Sequence, residues 1–225
     1  MNSQTDPRRL LLFLSLAACL GLQGYDLPLN PRAIHDAYVL GARNDHTTGR
    51  FLEPYTTQCS APPQSCFTTQ IEILTPFAQV VELSRQNAPR GYTEQQAAAD
   101  MRRRGQIVIV RITLMLPAAY AAALPNQPQE TSPPDAAHSA ALRPENLWHN
   151  FRFTLKQRER VIDARSAKCD PIYSTATKEA PPVLDGATVS LEFDAKLVAS
   201  DQTTIEVVTA DHKTFSASFD LRKLR

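Results

Sequence analysis

Apolar positions in this chain follow a mainly helical period before residue 106 and a period of two after residue 147. The two regimes meet at residues 106–116, QIVIVRITLML. There Val108, Val110, Ile112, Leu114 and Leu116 fall on one side of an extended chain. Ile107, Ile109 and Met115 fall on the other side, interrupted by Arg111 and Thr113. A strand apolar on both sides over much of its length is a central strand, covered on both faces.

The helices are read from caps and periods. Asn30-Pro31 opens a helix whose face is Ile34, Ala37, Tyr38 and Gly41 and which ends near Asn44-Asp45. A short helix follows, capped by Asn44 or Asp45, with Phe51, Leu52 and Tyr55 as its apolar contacts and Pro54 limiting its length. Residues 69–75 read as a strand. Pro76 then starts a helix running to about Gln86 with Phe77, Val80, Val81 and Ser84 on its buried stripe. Residues 87–91 form a turn, and Thr93 with Gln96 makes a capping box for a helix ending in Arg102-Arg103-Arg104. Those arginines suit the negative end of the helix dipole as a solvated helix end; an anionic site is the sharper but less economical reading.

Beyond residue 147 the alternation is repeated. Phe151, Phe153 and Leu155 alternate with polar residues, as do Val189, Leu191 and Phe193, then Ile205 and Val207, then Phe215, Ala217, Phe219 and Leu221. This is the rhythm of sheets with one wet face. Residues 209–213 form the hairpin turn between the last two, with His212 as a turn residue that tolerates positive φ. The fold class expected is α+β: N-terminal helices packed on a mainly antiparallel sheet, with a C-terminal half resembling an immunoglobulin-like β-sandwich in rhythm. Residues 117–146 break every period and are rich in proline and alanine. They read as an exposed insert, with residues 118–124 as a short helix within it.

The N-terminus adds a destination. A polar start ending in Arg8-Arg9 precedes the apolar run 10–22, LLLFLSLAACLGL, too short to span a bilayer comfortably and suited to a signal-peptide core. Residues 1–24 are therefore read as a signal peptide and 25–225 as a single exported domain of the periplasm or cell envelope. Residues 16–19, LAAC, resemble a lipoprotein box with Cys19 as the acylated residue. Leu20-Gly21-Leu22 instead continues the apolar run and fits ordinary cleavage near Gly24. Both readings stand. The twin arginine is better taken as a normal charged start than as a twin-Arg signal.

Charge removes one class of partner. The formal net charge is +1 with no large basic block, so nucleic acid is not an expected ligand. Membrane contact is expected only through a lipid at Cys19. An exported chain keeps paired thiols. With Cys19 cleaved away or acylated, three cysteines remain, and Cys59 with Cys66 is the expected disulfide because Pro62-Pro63 turn the short loop between them. Cys169 is then a free thiol, at least partly buried. The alternative joins Cys169 to one of the other two.

Catalytic signatures are missing: no GxSxG, HExxH, P-loop or dinucleotide fingerprint occurs. His35, His46, His138, His149 and His212 match no metal-ligand spacing, and neither metal nor cofactor is expected. Asp36, Glu72, Glu82 and Asp100 are scattered carboxylates that nothing in the sequence pairs as acid and base.

Residues 33–45 (AIHDAYVLGARND), 74–81 (LTPFAQVV) and 219–224 (FDLRKL) resemble an uncharacterised family of exported bacterial proteins. The loop cysteines at 59 and 66 and the proline-rich insert depart from it. The resemblance implies export and one contiguous domain. It carries no activity and so no site residue. The function expected is a non-catalytic binding or interaction module of the cell envelope, with a protein or glycan as its ligand. The alternative is an extracytoplasmic hydrolase whose site is assembled from the N-terminal helices, with Asp36, Asp45, His35 and His46 as its candidates.

Overall fold

The structure is a computed structural model and describes residues 27–59, 67–116, 148–174, 183–209 and 212–225. The insert 117–146, the signal segment, Cys19, Cys66 and His138 lie outside the described residues.

Helix α1, Pro31–Arg43, begins where the Asn30 side chain accepts from the Ala33 amide at 2.8 Å. It ends at Asn44, whose φ of 46° is the left-handed conformation asparagine tolerates. Asp45 then caps α2, His46–Leu52, accepting from the amides of Thr47 at 2.8 Å and Thr48 at 3.2 Å. These bonds hold its carboxyl below the usual range, the Thr48 amide foremost. Pro54 converts the next turn into a 3-10 helix, Glu53–Tyr55. Thr75 caps α3, Pro76–Asn87, and the expected Thr93–Gln96 capping box opens α4, Glu94–Arg104.

The strands are β1 Thr56–Gln58, β2 Phe67–Leu74, β3 Ile107–Met115, β4 Arg152–Gln157, β5 Arg160–Ile162, β6 Ser166–Ser174, β7 Val183–Asp194, β8 Gln202–Val208 and β9 Thr214–Asp220. They form two antiparallel sheets. The first runs β1-β2-β3-β7-β6 and the second β5-β4-β8-β9. The expected central strand is central: β3 lies third of five. The alternating segments became β4, β7, β8 and β9, and His212 turns the last hairpin at φ 61°. Strands β1, β5 and β6 carry no period-two signal; two are three residues long, and β6 is exposed along most of both sides.

Register fixes the faces. Ile71 and Ile73 of β2 stand opposite Ile112 and Val110 of β3, which stand opposite Val189 and Leu191 of β7. This face joins Leu155, Ile205, Ala217 and Phe219 of the second sheet in one buried core. On the other face of the first sheet, Glu72, Arg111 and Ser190 are in register, and α3 lies over the β2–β3 side. Helices α1, α3 and α4 share a second core of Ile34, Ala37, Phe77, Val80, Val81, Ala97 and Met101. Gly41 allows α1 to approach α3: a Cβ there would stand 2.2 Å from the Val81 carbonyl oxygen.

Arg225 fastens the helices to the rest. Its backbone exchanges hydrogen bonds with the Tyr55 hydroxyl, which donates to the carbonyl at 2.9 Å and accepts from the amide at 3.0 Å. The Thr75 hydroxyl donates to the same carbonyl. The guanidinium lies 4.4 Å from the centre of the Phe77 ring and 3.2 Å from Asp36. Burial is the main reason the Tyr55 hydroxyl is pushed up to about 12.

Candidate functional site

The densest chemistry lies between α3 and the first sheet. Glutamine and glutamate three residues apart, Gln79 and Glu82, point from α3 toward the strands. Gln79 donates to the carbonyls of Leu74 at 3.1 Å and Ile107 at 2.7 Å, closing the start of α3 onto β2 and β3. Glu82 takes both terminal nitrogens of Arg111, and the same guanidinium reaches Glu72 at 3.1 Å. Side-chain exposure falls from 30% at Arg111 to 16% at Glu72 and 9% at Glu82, so this pair is worth more than a surface ion pair. Burial, then the neighbouring Glu82 charge, pushes the Glu72 carboxyl up, against the pull of Arg111. Burial works against the Arg111 charge, but Glu82 and Glu72 together outweigh it and raise the guanidinium further.

The sequence treats Glu72 and Glu82 as scattered. The structure brings them onto one arginine through a strand pairing and a helix crossing. One signal was present: Arg111 interrupts an otherwise apolar strand, and a charge at a covered position requires a partner. The cluster's geometry is that of a strut. Two carboxylates share one guanidinium, and the bidentate bond fixes α3 over β2 and β3.

The residues proposed for the hydrolase alternative take separate partners, although His35 and Asp36 line one cavity. His35 Nδ1 lies 2.8 Å from Glu94 Oε2, linking α1 to α4. Asp36 pairs with Arg225, and Asp45 is occupied as a cap. His46, the first residue of α2, is exposed. Asp100 accepts from the Tyr92 hydroxyl at 2.8 Å, and burial followed by that carboxylate pushes the phenol up. Arg103 pairs with Asp100 at 3.5 Å, as a solvated helix end would. Among the described residues no group of three or more His, Cys, Asp or Glu side chains is placed to hold a metal ion.

Two shallow cavities flank His35. One, about 240 Å³, is lined by His35, Asp36, Val39, Leu40 and Arg43 of α1. The other, about 160 Å³, lies between α1 and α4, with Ile34 and Ala98 as its apolar floor and Glu94 and Arg102 among its polar lining. Val39, 41% exposed, is the apolar high point between charged neighbours. Both cavities are open to solvent and mix polar with apolar lining.

Cys59 and Cys169 are free, half-buried thiols, and burial raises both. The expected Cys59–Cys66 crosslink involves a residue outside the described set, and no cysteine pair within that set is joined. The alternative Cys59–Cys169 link is not formed. Among the described residues no helix is long and apolar enough to cross a membrane. No family model matches the chain, and neither a curated protein nor a solved structure matches it.

Proposed function

We propose that this chain is an exported or lipid-anchored cell-envelope protein that acts as a binding module and not as an enzyme. The N-terminal pattern supports the destination. The observation that carries the binding reading is the open amphiphilic face of α1 and α4, where Val39 stands exposed among His35, Asp36 and Arg43 beside the Ile34–Ala98 cleft. A protein segment suits it better than a glycan, since neither cavity is lined by Phe, Tyr or Trp. The immunoglobulin-like character of the C-terminal half belongs to the same proposal. Its support is the alternating rhythm and the core shared by the two sheets, with no claim on strand order.

The test joins fractionation to crosslinking in cells. With a photo-reactive residue at position 39, the reading expects the protein in the envelope fraction and a discrete protein adduct. The same residue at position 161, exposed on β5 of the second sheet, should give none. A cytosolic protein, or equal adducts from both positions, overturns the reading. A hydrolytic activity abolished by His35→Gln or Asp36→Asn replaces it with the hydrolase alternative.

A further inference from the structure

Among the described residues the longest edge strand is β6, the outer strand of the first sheet. It is also the least covered. Ser166, Ala167, Lys168, Asp170, Pro171, Tyr173 and Ser174 are exposed, and only Cys169 and Ile172 are half-buried. The far edge, β1, and the second sheet's β5 are three residues each, which blunts them. Strand β9 buries alternate residues, Ala217 and Phe219. A nine-residue strand open on both faces is a template for another strand, and its side chains decide which one.

We infer that β6 pairs antiparallel with β6 of a second copy of this chain, about a two-fold axis at Cys169. In an antiparallel pair, residues directly opposite lie on the same face. With the axis at Cys169, Lys168 of each copy faces Asp170 of the other, giving two unlike pairs. With the axis at residue 168 or 170, two lysines or two aspartates face each other. With the axis at 167 or 171, both charges face neutral residues. One register that keeps the faces of the two sheets continuous is therefore favoured by charge, and its neighbours are penalised or unsupported. Within one copy Lys168 and Asp170 are 2.7 Å apart, with side-chain exposures of 74% and 55%, so both are free to be shared across the axis. The opposite face of the strand supplies Ala167, Cys169 and Pro171. These small or apolar side chains form a strip that continues the buried face of β7, where they stand opposite Leu191, Val189 and Ala187. Pro171 withholds one backbone donor from each strand. The charge pairs therefore carry the choice of register, and a single closed two-fold contact leaves no second β6 edge for further addition. This inference is independent of the α1–α4 surface.

The test uses the purified protein in analytical ultracentrifugation, with Cys19→Ser, Cys59→Ser and Cys66→Ser so that Cys169 is the reporter thiol. The dimer is expected, and a short bismaleimide is expected to link Cys169 of one copy to Cys169 of the other. Lys168→Asp puts like charges opposite each other twice and should weaken dimerisation about tenfold and suppress the crosslink. Combining Lys168→Asp with Asp170→Lys restores the unlike pairs and should restore both readouts. That double variant also shows that the strand still folds. A protein monomeric at every concentration overturns the inference, as does a dimer indifferent to Lys168→Asp or unrecovered in the charge swap.

Discussion

Single side chains in this molecule often serve two elements at once, and their substitution separates the roles. Thr75 caps α3 through the Ala78 amide and also donates to the Arg225 carbonyl. Thr75→Ala removes both and should cost about 1–2 kcal/mol, while Thr75→Ser keeps the hydroxyl and should cost well under half of that. Thermal unfolding of the two variants reads the difference directly. The Arg111 cluster gives two substitutions of opposite sign. Glu82→Gln weakens a bidentate, nearly buried bond and should destabilise by about 2 kcal/mol. Glu72→Gln mimics the form that burial already favours and should leave stability equal or higher at pH 7. The pH dependence follows the same sign. A folded carboxyl raised above 4.5 contributes stability that is full below that value and is lost as pH rises through the folded pKa. The advantage of Glu72→Gln over the parent should therefore grow across that window and then level off. Denaturant titrations at pH 4 and pH 7 check it; an advantage that shrinks with rising pH refutes the assignment.

At the level of elements, packing distances set what can change. Gly41→Ala raises intrinsic helix propensity by about 1 kcal/mol, yet its methyl would strike the Val81 carbonyl and the Ser84 side chain. Overpacking against backbone costs about 1–3 kcal/mol, so a net loss is expected, seen as a Tm lowered by a few degrees. Gly49→Ala on α2, where a Cβ meets nothing within 4 Å, should be neutral or stabilising and serves as the control. The helices were legible because their signals are local: Asn30, Asp45, Pro76 and the Thr93–Gln96 box act within four residues of themselves, while the Thr75 cap was hidden in what read as the end of a strand. Strand β3 was legible because a fully covered strand is apolar on both sides. Strand β6 was not, because an edge exposed on both faces has no reason to alternate. The Glu72–Arg111–Glu82 cluster was hidden for another reason: its members are brought together by register and helix crossing, which no local spacing encodes. Thus the sequence revealed the scaffold of the candidate surface on α1 and α4, while the occupation of His35, Asp36 and Asp45 by separate partners needed the tertiary structure.

For the whole molecule, the contact between Tyr55 and Arg225 ties the helical layer to the sheets. Tyr55→Phe deletes both bonds to the Arg225 backbone inside a buried site and should cost about 1–3 kcal/mol at pH 7. Because the folded phenol is raised from 10.0 to about 12, the unfolded state ionises first, and this stabilisation is lost as pH rises through that interval. The gap between Tyr55→Phe and the parent should narrow from pH 10 upward. A gap that stays constant would place the hydroxyl in a less buried setting than the structure gives it.

That fastening also sets a timetable. Arg225 and Tyr55 are 170 positions apart, and Thr75 and Asp36 wait for the same residue. A chain emerging with its N-terminus first displays α1, α2 and α3 long before their final clasp is made, and closing so wide a loop is among the slower steps of assembly. Until residue 225 arrives, the early helices remain without that clasp. On the export reading, this delay would leave a translocation apparatus that handles unfolded chains an interval in which to work.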